Sequence, residues 1–91
     1  QYIVVRGTNG CTVKVQAYDD GTAGEETLRH AFLLEEYVVL SLRRDAMALN
    51  CRRNGNALVF ELGNDWIGAE YELIWDEARR SSIEQDATEP L

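Results

Sequence analysis

EETLRHAFLLEE, residues 25–36, is the stretch on which the fold turns. As a helix it offers Thr22 with Glu25 three positions on, the spacing of a capping box. It also offers a Glu25–Arg29 pair at i, i+4 and puts Leu28 and Phe32 on one face. As a strand it alternates Leu28, His30, Phe32 and Leu34. Local propensity leans toward the helix, but pairing with neighbouring strands can overrule such a preference, so both readings stay open.

The flanks read as strands. CTVKVQAY (11–18) alternates Val13, Val15 and Ala17 against Thr12, Lys14, Gln16 and Tyr18, the clearest two-residue period in the chain. Before it, YIVVR (2–6) is β-branched and runs into the turn-rich GTNG, a short strand or an arm. DDGTAG (19–24) reads as a loop. After residue 36, YVVLSLR (37–43) sets Val38, Leu40 and Leu42 on one face. AMALNC (46–51) sets Met47, Leu49 and Cys51 together, with RRD between the two as a tight turn. The Asn-Gly of RRNGN is a hairpin signal because both residues accept positive φ. ALVFEL (57–62) returns with Leu58, Phe60 and Leu62 inward, and AEYELIW (69–75) alternates Tyr71, Leu73 and Trp75. Short strands with turns every 8 to 12 residues predict a mainly β, small antiparallel sandwich or barrel.

Ninety-one residues make one domain, whose core only narrowly outweighs the entropy of ordering the chain. The apolar fraction of 45% suffices for that core, and no apolar run approaches a membrane span. Gln1 in first position points to a processed chain or a piece of a longer precursor. The net charge of -7 is uneven: residues 70–91 hold seven acids against Arg79 and Arg80, a net -5, leaving -2 for residues 1–69. A nucleic-acid surface needs a positive stripe, and the basic residues come as separated pairs, so neither nucleic acid nor membrane is an expected partner. Eight of the nine basic residues are Arg, which suits partner contacts and is equally a matter of genome composition. The stretch 76–91 reads as an acidic C-terminal tail, with a helical turn around Glu77 to Gln85.

Two cysteines, Cys11 and Cys51, stand at expected strand ends. Bridged, they would close a loop of about 40 residues and add roughly 4 kcal/mol on the chain-entropy model. The alternative is two free buried thiols in a cytosolic protein. An even count in a small domain favours the disulfide. Neither CxxC nor a His cluster suggests zinc, and no cofactor is expected.

A small β domain, one cysteine pair about forty residues apart, and strands laid out over 11–18, 27–34, 37–43, 46–51, 57–62 and 69–75 resemble the MAX effectors, the Magnaporthe avirulence and ToxB-like secreted fungal proteins. NDWIGAEY (64–71) also looks like the ending of one rice-blast member. The resemblance covers about residues 10–75. The chain departs from the family in its helix-compatible second strand, its YIVVR arm and its acidic tail. The resemblance implies a six-stranded sandwich of two three-stranded antiparallel sheets over residues 11–75, with residues 1–10 as an arm or short strand. It also implies a monomeric virulence protein, secreted and able to enter host cells. Such a protein would bind a host plant protein, such as a small heavy-metal-associated domain or an immune receptor, by pairing at a strand edge. Carried onto this chain, that edge is the second strand, with Arg29, Ala31 and Leu33 or Leu28, His30 and Phe32 outward.

Catalytic signals are weak. His30, the one histidine, reads as a surface residue beside Arg29. The acidic pairs Asp19–Asp20 and Glu35–Glu36 lack the oxygen pattern of a Ca²⁺ loop, and GTAG lacks the lysine of a phosphate cradle. Trp66 and Trp75 read as core, with Trp66 half-exposed enough to join Arg29, His30 and Phe32 in a partner-binding surface. The expectation is a binding protein and not an enzyme. The other class is an intracellular acidic binder with reduced cysteines, such as an antitoxin or a phage-encoded inhibitor. A third is a piece of a capsid-like assembly with exchanged arms.

Overall fold

The computed structural model describes residues 1–76. It is mainly β, in two sheets, with eight strands and one helix where six strands were expected. The strands are β1 (Tyr2–Gly7), β2 (Thr12–Gln16), β3 (Thr22–Gly24), β4 (Leu40–Arg44), β5 (Met47–Ala48), β6 (Cys51–Asn54), β7 (Ala57–Glu61) and β8 (Glu70–Trp75). Helix α1 (Glu25–Ala31) lies between β3 and β4.

The five-stranded sheet has the order β2-β1-β8-β4-β5, and the three-stranded sheet the order β3-β7-β6. β1 and β2 form an antiparallel hairpin, β4 pairs antiparallel with β8 and β5, and β8 enters between the hairpins parallel to β1. A first hairpin, a helix, and a last strand inserted at the centre between β1 and β4 set the order of the large sheet. The two three-stranded antiparallel sheets implied by the effector resemblance are not the ones formed. YIVVR, read as a short strand or an arm, is a strand flanked on both sides.

Local chemistry accounts for most elements. β1, β2 and β8 turn every second residue inward: Ile3 and Val5; half-buried Val13 and buried Val15; and Tyr71, Leu73 and Trp75. The β4–β5 hairpin closes at Arg44 and Met47, with Asp45 (φ 52°) and Ala46 (φ 66°) both left-handed, the pattern of a type I′ turn. In the β6–β7 hairpin Asn54 pairs with Ala57, so the loop is Gly55–Asn56, one residue later than Asn54–Gly55. Only Gly55 has positive φ (66°), as in a type II′ turn.

Met47, Leu49 and Cys51 do not share a buried face: Met47 and Cys51 are exposed, and Leu49 is half-buried. The chain changes sheets between them. Leu49 N–H still donates to Leu42 O in the large sheet (2.9 Å), while Asn50 O accepts from Glu61 N–H in the small one (2.9 Å).

Residues 25–31 resolve as helix and not as the strand 27–34. Leu28 is wholly buried, and α1 packs on β7, β2 and β3. The expected cap is displaced. Gly24 is the N-cap, without a side-chain hydrogen bond, because Thr22 belongs to β3 and its hydroxyl donates to Asp20 (2.6 Å). The i, i+4 pair does form, Arg29 Nη2 lying 3.2 Å from Glu25 Oε1. Arg29 also donates to the carbonyls of Glu35 (2.6 Å) and Val38 (2.7 Å), fastening the loop that leads to β4.

At the other end of the domain Arg44 fastens the loop between β7 and β8, donating to Asn64 O and Asp65 O and lying over the Tyr71 ring, 5.4 Å from its centroid. The buried Tyr71 hydroxyl donates to Leu62 O (2.7 Å). Burial pushes the Tyr71 phenol up, against the opposing pull of the Arg44 cation.

Two backbone positions give stability tests. Leu33 ends the helix in the left-handed region (φ 57°) and is 86% exposed, so it pays the strain of a left-handed L-residue and buries nothing in return. Leu33→Gly should therefore raise unfolding free energy by about 0.5–1 kcal/mol in urea titration. Conversely, a Cβ on Gly7 would fall 2.7 Å from both Phe32 and Trp75 ring atoms, and Gly7→Ala should cost about 1–3 kcal/mol in the same measurement.

Candidate interaction site: the open edge of β2

A sheet edge offers unpaired N–H and C=O groups to another chain, unless it is short or covered. Four strands are edges here: β2 and β5 in the large sheet, β3 and β6 in the small one. β5 has two residues, and the three residues of β3 are buried. β2 and β6 remain.

Register decides how much each presents. Gly7 N–H donates to Cys11 O and Ala17 N–H to Gln1 O, both pairs summing to 18 like every pair of the β1–β2 ladder. Odd-numbered pairs are thus the hydrogen-bonded ones, and Thr12, Lys14 and Gln16 turn their N–H and C=O away from β1. All three residues are exposed, and no backbone partner for these groups occurs among the described residues. The same reasoning on β6, from Glu61 N–H donating to Asn50 O, leaves only Cys51 and Arg53 facing outward. β2 therefore presents three residues, each with one donor and one acceptor, against two on β6.

The side chains of Thr12, Lys14 and Gln16 stand on the outer face of the large sheet. There the Lys14 ammonium rests over the Tyr2 ring, 5.0 Å from its centroid. Beside them runs a shallow groove of about 330 Å³, with Arg6 bonded to Glu72 (2.8 Å) across it. On the inner face Val15 is buried and Val13 half-buried against the core. The edge is thus polar on one side and apolar on the other.

The residues expected to bind a partner do not form one surface. The Arg29 side chain is 11% exposed and spent on intramolecular bonds, and Phe32 is buried against Trp75 (ring centroids 5.5 Å). His30 is exposed on the last turn of α1. Trp66 is half-buried in the β7–β8 loop, its indole close over Gly21. The proposed docking edge at the second strand disappears with that strand, since the chain there is helical. Lys14 and its neighbours were missed as a site, although their alternation is plain in the sequence. Nothing in that alternation says that β2 has a neighbour on one side only.

The expected disulfide is also corrected, since Cys11 and Cys51 are both free and exposed. Cys11 lies in the β1–β2 turn, its N–H held by the Asn9 side chain (3.0 Å), whereas Cys51 opens β6 in the other sheet, paired with Phe60. The two ends that were to be tied across a sandwich stay apart, each thiol exposed. Though Cys51 is exposed as a residue, partial desolvation of its thiol, reinforced by the Glu25 carboxylate, holds its pKa above the ordinary value.

Among the described residues no three His, Cys, Asp or Glu side chains gather to hold a metal, and no helix is long and apolar enough to cross a membrane. Of the acidic tail only Asp76 lies within the described residues. No protein-family model, curated protein or solved structure matches the chain.

Both thiols should alkylate in unfolded protein without reductant, read by intact mass. In the folded protein the Cys51 rate should climb only at a pH above that of an ordinary thiol, because the thiolate is the reactive form. Blocked thiols released by reductant would restore the disulfide.

Proposed function

We propose that this domain is a non-catalytic binding module that takes an extended segment of another protein onto the open edge of β2. The observation that carries this reading is the run of three consecutive outward-facing residues, Thr12, Lys14 and Gln16, with six unpaired main-chain groups in line. Strand addition draws affinity from such groups and specificity from alternate side chains. The mode is the one that the effector resemblance implies, moved from the helical stretch 25–31 to β2.

The compartment separates two versions of this role. In one, the protein is a secreted fungal effector that binds a host plant protein. In the other, it is an intracellular binder or inhibitor with reduced cysteines. Free, exposed thiols favour the second, because a small secreted domain ordinarily gains its staple from such a pair. Arg29 and Arg44 are engaged with the protein's own loops, which leaves the β2 edge as the better place for partner contacts.

The test is a random-peptide selection on the wild-type chain, followed by Gln16→Pro. Proline removes one outward N–H and sets its ring against the incoming strand, while an edge position tolerates it. Selected peptides should lose at least about tenfold in affinity on Gln16→Pro, with the melting temperature held within a few degrees. Peptides that bind both proteins alike, or a selection that yields none, would remove β2 as the docking edge.

A further inference from the structure

The same edge carries a selection rule, and the inference rests on the strand-addition reading above. Two copies of β2 could pair antiparallel about a two-fold axis. The register that uses every outward group sets Thr12 opposite Gln16 of the other copy, and Lys14 opposite its own equivalent. This register makes six hydrogen bonds, two for each of three pairs. Residues opposed in this way lie about 5.5 Å apart at Cα. Like charges so placed repel, and a lysine in mid-edge is a recognised guard against self-pairing. The slipped registers, Thr12 opposite Lys14 or Lys14 opposite Gln16, avoid the clash but keep only two pairs and four bonds. The edge is therefore built against its own copy in the register that would bind best.

We infer that β2 selects an antiparallel segment of a different protein with an Asp or Glu opposite Lys14. The register supplies the rest of the pattern. The two residues flanking the acid fall on the inner face beside Val13 and Val15, where half-buried Val13 gains cover from an apolar side chain. The next pair stands on the outer face opposite Thr12 and Gln16, where polar residues suit. The partner segment thus reads polar, apolar, acid, apolar, polar.

Local charge agrees. Thr12 through Gln16 contain no acid, and Arg6, the nearest charge on the neighbouring strand, is already bonded to Glu72. On the outer face the described acids of β8 stand one strand further off, Glu70 across Val4 from Lys14 and Glu72 bonded to Arg6, so the open side of Lys14 faces none of them. Lys14 is held on the outer face by Tyr2, with its ammonium available to a carboxylate arriving from the open side.

The experiment uses the full chain, labelled with ¹⁵N, and two blocked nine-residue peptides. Both carry Thr-Val-X-Val-Thr at the centre between identical Ser-Gly flanks, with X either Glu or Lys. Titration should shift the amide resonances of Thr12, Lys14 and Gln16. The Glu peptide should bind about three- to tenfold tighter than the Lys peptide, and Lys14→Glu should invert that order. In parallel, Lys14→Thr should self-associate in sedimentation at concentrations where the wild-type chain is monomeric. Equal binding of the two peptides at the edge amides would overturn the charge rule and leave strand addition standing. A wild-type dimer formed through β2 would overturn the rule as well. If neither peptide moves those amides and Lys14→Thr stays monomeric, the edge does not pair, and the proposed function falls with the rule.

Discussion

The large sheet depends on the insertion of β8. This strand bonds parallel to β1 along Val4–Gly7 and antiparallel to β4 along Leu40–Arg43, so it joins two hairpins that have no direct contact in the strand order. Its inner residues Tyr71, Leu73 and Trp75 are buried, and through them the core runs unbroken from Ile3 and Val5 to Leu42. Because β8 ends the described chain, the sheet closes only when residues some 65 positions apart have met. That pairing carries the loop-closure cost of a long-range contact before it is repaid by burial. The same insertion makes β2 an edge: once β8 occupies one flank of β1 and β2 the other, β2 has no further neighbour among the described residues.

Arginine does much of the fastening that a disulfide was expected to do. Arg29 gathers the helix end and the path to β4 through two carbonyls and Glu25, and Arg44 gathers the carbonyls at Asn64 and Asp65 while lying on Tyr71. A planar guanidinium can serve several carbonyls at once, in a way that an ammonium on a flexible stem does less well. The excess of arginine over lysine therefore has a structural component at these two positions. The one lysine stands at the one long open edge, where a compact, strongly hydrated charge is best suited to keep an unsuitable strand away.

Polar protection of the other edges follows the same logic. β3 is buried, β5 is cut to two residues by a type I′ turn, and β6 spends Arg52 on Glu61 (2.8 Å) while bending away from the large sheet at Asn50. Among the described residues β2 alone keeps a full run of outward groups, with polar side chains on one face and a partly covered valine on the other.

Much of this was legible in the sequence. A two-residue period marked β2, β4, β7 and β8, β-branched residues before a turn marked β1 as a strand or arm, and turn chemistry placed both β-hairpin loops after β4 to within a residue, because such signals are properties of a few neighbouring residues. The i, i+4 pair of Glu25 and Arg29 was legible for the same reason. What tertiary structure alone decided is whatever depends on which distant strand lies alongside. Residues 25–31 carried both helix and strand patterns, with propensity leaning to the helix, and the packing of α1 on β7, β2 and β3 with Leu28 buried settled it. Cys11 and Cys51 sat at plausible strand ends until the fold left one in the β1–β2 turn and the other at the start of β6, both exposed and unbridged. Phe32 was apolar in either reading, but only its burial against the Trp75 ring made it core and not contact surface. Lys14 was visible as one polar residue in an alternating strand. Its position at a guarded open edge exists only because β8, from the far end of the described chain, took the place beside β1.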